Sequence, residues 1–208
     1  MSRRLLVLDV DSTLITAEQI DLLAARAGAQ ARVASITEAA MSGELDFTQS
    51  LHARVAVLAG LPVSVLQSVR SELRFTAGVT ELLAHCAAEG WPVGLVSGGF
   101  REIIEPLVAH LPISRIQANQ LHVVDGVLTG RLSGPVVDRA AKARFLHSFA
   151  QAEQIPLADT IAIGDGANDL DMITTAGLGV AFMAKPALRA EADLILDGPR
   201  IDQLLTHL

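Results

Sequence analysis

Short apolar runs alternate with longer amphipathic segments along most of the chain. The apolar runs have the length and the Val, Ile and Leu content of buried strands, and they lie in RLLVLD (4–9), WPVGLVSGG (91–99), TIAIGDG (160–166), GLGVAFM (177–183) and DLILD (193–197). The segments between most of them have the spacing of amphipathic helices. Strands that alternate with helices are typical of a parallel sheet. The pattern therefore predicts an α/β fold built on a parallel sheet.

Two segments depart from this alternation. The stretch NQLHVVDGVLTGRLSG (119–134) contains two strand-like runs around Asp125-Gly126, which predicts a β-hairpin that extends the sheet in antiparallel fashion. Residues 16–75 contain several helical patterns and no convincing strand before Phe75. We therefore expect a catalytic core formed by residues 1–15 and 76–208, with a small helical cap, residues 16–75, inserted after the first strand.

Composition narrows the class of protein. The chain has 208 residues, half of them hydrophobic, which suffices for one core and a modest insertion. A net charge of −7 without a block of Lys or Arg argues against a nucleic-acid partner and favours a small metabolite. The single cysteine, Cys86, lies on an apolar helix face and is expected in the core, with no disulfide framework.

The apolar runs also bear on location. None approaches the roughly 18 residues of a membrane span, and the chain opens on a strand rather than on a signal sequence. We expect a cytoplasmic protein without a membrane partner, acting as a monomer or a homodimer.

Acidic and small polar residues follow three of the predicted strands. Ligands of open α/β sheets bind outside the carboxyl ends of the strands, so these residues should meet there. Each group alone is a common turn or helix cap, but several uncompensated carboxylates in one crevice would repel each other. A hard cation such as Mg²⁺ would relieve this repulsion. The residues are Asp9 and Asp11; Ser97, Gly98 and Gly99; and Asp165, Asn168 and Asp169.

One lysine shares an apolar helix face. In DRAAKARFLHSFAQAE, Lys142 falls on the same stripe as Phe145, Leu146 and Phe149. A lysine that snorkels near a helix start would explain this placement. The alternative, which the clustered acids favour, is an ammonium directed at the carboxylates and a phosphate.

In their order and spacing, four segments resemble the motifs of the haloacid dehalogenase superfamily of phosphohydrolases. These segments are DVDST (9–13), SGG (97–99), Lys142 and GDGANDLDM (164–172). The resemblance implies a Rossmann-like core with a helical cap, and a reaction that passes through an aspartyl-phosphate.

The resemblance also implies residue roles. Asp9 would be the nucleophile, and Asp11 would be general acid and then general base. Mg²⁺ would be held by Asp9, Asp165 and the backbone carbonyl of Asp11, with Asp169 and Asn168 supporting it. Catalytic and phosphoryl-binding contacts would come from Ser97, Gly98, Gly99 and Lys142.

The predicted cap carries two charged residues of interest. Arg54 shares a helical stripe with Phe47 and Leu51, and Glu18 lies at a predicted helix start. A salt bridge inside the cap would explain Arg54, and a favourable helix dipole would explain Glu18. If both face the crevice, they would suit an amino acid, with Arg54 on its carboxylate and Glu18 on its ammonium.

The cap sequence is similar to that of the phosphoserine phosphatase family within this superfamily. The similarity implies that Glu18, Met41, Phe47 and Arg54 contact the serine part of phosphoserine, and that the reaction releases serine as the last step of serine biosynthesis. Transfer of the phosphoryl group to homoserine, another small phosphorylated substrate, a phosphate-storing receiver domain and a catalytically inactive phosphoserine sensor are alternatives. Longer relatives carry an amino-terminal regulatory domain, and feedback through such a domain is not expected for this sequence.

Overall fold

The protein is built on a mixed sheet with helices on both faces. The computed structural model describes residues 3–41 and 44–208, and for Met41 it describes only the backbone. The strands lie in the order β4-β3-β2-β1-β5-β6-β7, and every neighbouring pair is parallel except β3 with β4. They are β1 (Leu5–Leu8), β2 (Val93–Phe100), β3 (Arg115–Val124), β4 (Val127–Ser133), β5 (Thr160–Gly164), β6 (Leu178–Phe182) and β7 (Leu194–Leu196). The predicted α/β fold with a parallel sheet is confirmed.

The described helices fall into two sets. Between β1 and β2 lie α1 (Gln19–Arg26), α2 (Gln30–Met41), α3 (Phe47–Ala56), α4 (Val65–Glu72) and α5 (Val79–Ala88). The others are α6 (Arg101–Val108), α7 (Arg139–Ala152), α8 (Leu170–Thr175) and α9 (Pro186–Arg189). None of these helices combines the length and the apolar content that a membrane-spanning helix requires.

The core occupies both faces of the sheet because successive residues of a strand point to opposite faces. In β1, Leu6 and Leu8 pack in a cluster with residues of α5 and α6, whereas Leu5 and Val7 pack in a second cluster with residues of α7 and α8. All four are fully buried, and each contributes roughly 1.5–3 kcal/mol relative to an exposed side chain. Packing on both faces of the sheet therefore fixes β1, and with it the position of the residues that follow this strand. Cys86 is buried in the first cluster, as predicted.

The predicted hairpin is present at one edge of the sheet. Strands β3 and β4 pair in antiparallel register, with Val124 opposite Val127. The two turn residues, Asp125 and Gly126, have φ values of 50° and 75°, as a two-residue turn that matches the strand twist requires. The hairpin is therefore the antiparallel extension of the sheet that the sequence predicts.

Helices α1 to α4 occupy most of the segment 16–75, and among the described residues this segment contributes no strand beyond isolated bridges. The loop between α3 and α4 pairs with the hairpin through its backbone. Gly60 N–H donates to Leu128 O (2.9 Å), Leu128 N–H to Leu61 O (2.8 Å), and Val63 N–H to Gly126 O (2.8 Å). These backbone hydrogen bonds attach the loop between α3 and α4 to the hairpin at the edge of the sheet. The division into a core and a cap stays a prediction.

Candidate active site

The chain turns sharply after β1 and thereby separates the first two acids. Asp9 is extended and 3% exposed, and its N–H donates to Ile163 O of β5 (2.9 Å). A tight turn over Val10–Leu14 follows, in which Ile15 N–H donates to Val10 O (3.0 Å) and Ser12 has a φ of 58°. Asp9 and Asp11 therefore do not continue along one strand face, where their charges would be forced together.

Lys142 lies beneath Asp9 and is fully buried. It is on the first turn of α7, whose N-cap Asp138 accepts a hydrogen bond from Ala141 N–H (2.7 Å). Its Nζ donates to Asp9 Oδ1 (2.7 Å) and to Asp169 Oδ1 (2.6 Å). Burial would lower the pKa of Lys142, but the two carboxylates outweigh it and raise the pKa above its usual range. The predicted orientation of the ammonium toward the acids is confirmed.

Three carboxylates converge at the ends of β1 and β5. One oxygen each from Asp9, Asp165 and Asp169 lies within 4.8 Å of the other two. Asp169 is held by Asp165 N–H (3.2 Å) and Gly166 N–H (3.1 Å), which both donate to its Oδ2. A side chain at Gly164 would overlap Asp169, since its Cβ would lie 2.4 Å from the carboxyl carbon. The close approach of this acid to β5 therefore requires glycine there.

The charge balance of this trio fits a divalent cation. Burial raises the pKa of Asp9 despite Lys142, and burial together with Asp169 raises the pKa of Asp165 to about 6. Among the described residues, Lys142 is the one ammonium that hydrogen-bonds to this trio, and the charge of Lys185 also acts on Asp165. Oxygen donors of this kind are the preferred ligands of Mg²⁺. The residues present therefore fit a divalent metal ion.

The Asp11 side chain turns away from the trio and toward α1. Gln19 Nε2 donates to Asp11 Oδ1 (2.6 Å). Burial, and then the negative charge of Glu18, raise the pKa of Asp11 to about 8 even though Gln19 lowers it. A carboxyl with such a pKa carries a proton at neutral pH, which suits a general acid.

The glycine-rich turn at the end of β2 lies opposite these acids. Ser97 is 1% exposed, and its Oγ accepts a hydrogen bond from Gly99 N–H (2.8 Å). Asn119 of β3 donates from Nδ2 to Gly98 O (2.8 Å) and accepts from Val137 N–H (2.8 Å). Asn119, which the sequence did not single out, therefore holds this turn in place and ties it to the segment that leads into α7.

A cavity of about 680 Å³ connects these groups with the helical segment. Ser97, Lys142 and Asp169 lie behind its wall, and Lys185 is on the wall although the sequence did not identify it. The other predicted site residues with described side chains line the cavity: Asp9, Asp11, Glu18, Phe47, Arg54, Gly98, Gly99, Asp165 and Asn168. The side chain of Met41 is outside the described residues.

Among the described residues, Arg54 is a guanidinium in this cavity without a carboxylate at ion-pair distance. Its Nε donates only weakly to Ser50 O (3.4 Å), and no carboxylate of a described residue lies within 4.0 Å of it. Burial lowers its pKa, although Glu18 opposes that effect. A salt bridge inside the helical segment therefore does not explain Arg54 within the described part of the chain.

Glu18 lines the same cavity and lies at the N-terminus of α1. It occupies the N-cap position but accepts no capping hydrogen bond. Its Oε1 instead accepts a hydrogen bond from Ser12 Oγ (2.6 Å), which orients the carboxylate toward the turn after β1. The cavity thus brings the acids that follow β1 and β5 together with the Glu18 carboxylate and the Arg54 guanidinium.

Comparisons with known proteins agree with this geometry. A model of the haloacid dehalogenase-like hydrolase family matches residues 6–174. The chain is 53% identical over 204 residues to phosphoserine phosphatase SerB2 of Mycobacterium tuberculosis, covering 98% of this chain and 50% of that protein. It is 48% identical over 196 residues to the phosphoserine phosphatase of Lactococcus lactis, covering 94% and 91% of the two chains.

The structural comparison covers the whole chain. A solved structure described as a phospho-aspartyl intermediate analogue of phosphoserine phosphatase aligns over 100% of both chains, with a TM-score of 0.94 and 38% identity. The chain spans about half the length of the Mycobacterium tuberculosis relative and of another from Streptomyces coelicolor.

Proposed function

Because the chain belongs to the haloacid dehalogenase-like hydrolase family, we propose that it is a phosphoserine phosphatase that hydrolyses O-phospho-L-serine to L-serine and phosphate. One observation carries the proposal. A single cavity is lined by Asp9, Asp11 and Glu18 and by the guanidinium of Arg54, which has no ion-pair partner among the described residues. The names of the relatives point to the same substrate.

The first step forms a covalent intermediate on Asp9. An oxygen of the Asp9 carboxylate attacks phosphorus, and the bond between phosphorus and the serine oxygen breaks. The departing oxygen takes the proton of Asp11, so serine leaves as a neutral alcohol rather than as an alkoxide. Lys142 fixes the Asp9 carboxylate from below through its 2.7 Å hydrogen bond, which leaves the other carboxylate oxygen for the attack.

The second step returns the enzyme to its starting state. Water attacks phosphorus and gives one proton to the Asp11 carboxylate, and the bond between phosphorus and the Asp9 oxygen breaks to release phosphate. Asp11 thus acts first as an acid and then as a base. Gly98 N–H and the Ser97 hydroxyl would donate to phosphoryl oxygens, where negative charge is spread in the transition state.

Asp9, Asp165 and the backbone carbonyl of Asp11 would hold Mg²⁺, with Asp169 and Asn168 supporting these ligands. The ion would neutralise charge on the carboxylates and on the phosphoryl group. The convergence of the three carboxylates Asp9, Asp165 and Asp169 supports this assignment.

The helical segment would select the substrate. Arg54 would pair with the α-carboxylate through two parallel hydrogen bonds, and Glu18 would accept from the α-ammonium. Phe47 lies on the wall of the cavity and would face the serine methylene, and Met41 is assigned the same role from the sequence alone. The expected cytoplasmic location and monomeric or homodimeric state stay predictions.

A substrate panel tests the proposal. Phosphate release is measured from phosphoserine, phosphothreonine, a sugar phosphate and p-nitrophenyl phosphate, with and without Mg²⁺. We expect a strong preference for phosphoserine that depends on Mg²⁺. Equal rates on all esters would contradict the assigned substrate. Formation of phosphohomoserine when homoserine is added would instead identify a phosphotransferase.

A further inference from the structure

Gln19 is the most deeply buried polar side chain of α1, and it contacts Asp11. It is 0% exposed and is not among the residues that line the cavity. Its Nε2 donates to Asp11 Oδ1 (2.6 Å), and its Oε1 accepts from Phe100 N–H (3.1 Å). Because a backbone N–H can only donate, the orientation of the amide is determined, and Nε2 must face Asp11.

This amide joins three parts of the site. Gln19 is the first residue of α1, Phe100 ends β2, and Asp11 belongs to the turn after β1. The contact is tight, since a Cβ at Gly99 would lie 2.4 Å from Gln19 Nε2 and 2.9 Å from Asp11 Oδ2. Gly99 is therefore needed for α1 and β2 to approach closely enough for the amide to reach both partners.

The contact distinguishes the two oxygens of Asp11. Oδ1 accepts the amide hydrogen, so the proton that Asp11 donates would be carried by Oδ2. No other side chain among the described residues donates a hydrogen bond to Asp11. Without the Gln19 amide, the interaction with the Gln19 backbone alone would restrain the carboxyl, and a proton donor that is misplaced by an ångström loses much of its effect.

We propose that Gln19 is a positioning residue that holds the Asp11 carboxyl in line with the leaving oxygen of the ester and makes this alignment depend on the docking of α1 against β2. The proposal rests on the proposed function. It predicts a specific defect, because an ester whose leaving group departs as a stable anion needs no proton from Asp11.

The test compares two esters in Gln19→Met, which keeps the side-chain length and removes the amide. The quantity measured is kcat/KM, which reports the steps up to departure of the leaving group. We expect kcat/KM for phosphoserine to fall at least about tenfold, a fraction of the roughly 10²–10⁴ that general acid–base catalysis supplies. We expect kcat/KM for p-nitrophenyl phosphate to fall less than about threefold. We expect KM for phosphoserine to change little, since Gln19 is not on the cavity wall.

Thr76→Val is the matched control. Thr76 is 6% exposed, and its hydroxyl donates to Thr13 O (2.7 Å), so the variant loses a buried hydrogen bond next to the same turn without touching Asp11. Thr76→Val should change kcat/KM for both esters by the same factor. If Gln19→Met does not fold, Gln19→Asn replaces it, because the shorter amide cannot span Phe100 and Asp11 together.

The outcomes separate this proposal from the proposed function. Equal losses on both esters in the Gln19 variant, a rise in KM alone, or the same ester-dependent split in Thr76→Val would overturn the positioning role. Lack of phosphoserine hydrolysis by the unmodified protein would instead refute the proposed substrate. In that case the comparison is made between its best alkyl phosphate and p-nitrophenyl phosphate.

Discussion

Replacing Arg54 with methionine tests how the cavity recognises the substrate. Methionine has nearly the same length as arginine and keeps the apolar part of the α3 stripe, but it removes the guanidinium. Because no described carboxylate pairs with Arg54, the change breaks no ion pair in the described part of the free protein. Its main effect should therefore fall on the bound substrate.

The magnitude follows from two charge-assisted hydrogen bonds. Each hydrogen bond to a charged group is worth about 1.5–3 kcal/mol. The lower value suits a cavity that still contains solvent, so the pair contributes about 3 kcal/mol, or roughly 10²-fold in kcat/KM. The melting temperature should stay within about 2 °C, because a partly desolvated guanidinium without a partner contributes little to stability.

The assay measures kcat/KM of Arg54→Met on phosphoserine and on p-nitrophenyl phosphate, which has no carboxylate. The value of kcat/KM should fall about 10²-fold for phosphoserine and less than about threefold for p-nitrophenyl phosphate. The kcat/KM of Arg54→Lys for phosphoserine should lie between those of Arg54→Met and the unmodified protein. Lysine keeps the positive charge but cannot form the two parallel hydrogen bonds of a guanidinium. Arg70→Met on α4 removes a half-buried arginine away from the cavity wall and serves as the control for loss of an arginine from the helical segment. Equal losses on both esters, with a lowered melting temperature, would refute the assignment and make Arg54 structural.

Three further predictions concern the acidic end of the cavity. Asp9→Asn should reduce phosphate release to the background rate because an amide cannot attack phosphorus; substantial residual turnover would exclude covalent catalysis at Asp9. Lys142→Met should lower the free energy of unfolding by about 3–5 kcal/mol at pH 7, measured in urea, and by less as the pH falls, because burial raises the pKa of Asp9 and a neutral carboxyl no longer needs the ammonium; a loss that does not change with pH would contradict the charge argument. The raised pKa of Asp165, about 6, means that its contribution to the free energy of unfolding is fully present below about pH 4, is lost as the pH rises to about 6, and stays lost above that pH. Mg²⁺ should therefore raise the melting temperature more at pH 8 than at pH 5, and an equal shift would place the ion elsewhere.

The parts of the site that could be predicted depend on local patterns. Period-two and helical spacing locate the strands and helices, and the rule for ligand sites in parallel sheets brings Asp9 and Asp165 together. The position of Lys142 on an apolar stripe of α7 indicates its burial, because a lysine rarely occupies such a stripe without a partner. Each of these inferences needs only neighbouring residues and the sheet topology.

The contacts that the sequence did not reveal join residues far apart in the chain. Gln19 reaches Phe100 across 81 positions, and Asn119 reaches Gly98 across 21 positions. A single amide at a helix start or inside a strand has no periodicity that marks it, because its role depends on which backbone groups the fold brings near it. The pairing of the α3–α4 loop with the hairpin is likewise a backbone interaction that side-chain patterns do not encode.

The position of Asp11 shows the same limit in a different way. Spacing along a strand suggests that Asp9 and Asp11 crowd on one face unless the chain turns. The positive φ of Ser12 resolves this crowding, and non-glycine residues seldom adopt that conformation. The sequence indicates the conflict between the two acids, whereas only the structure shows that Asp11 turns to Gln19 instead of joining the carboxylate trio.

The central claim is that this chain hydrolyses phosphoserine through a phosphorylated Asp9. The most direct measurement mixes the protein with phosphoserine and Mg²⁺, quenches the reaction in acid within the first turnover, and locates the phosphoryl group by peptide mass spectrometry while free serine is quantified. The account predicts a phosphorylated peptide that contains Asp9, formed together with an equal amount of serine and absent from Asp9→Asn. Release of serine without any phosphorylated Asp9, or no release of serine at all, would contradict it.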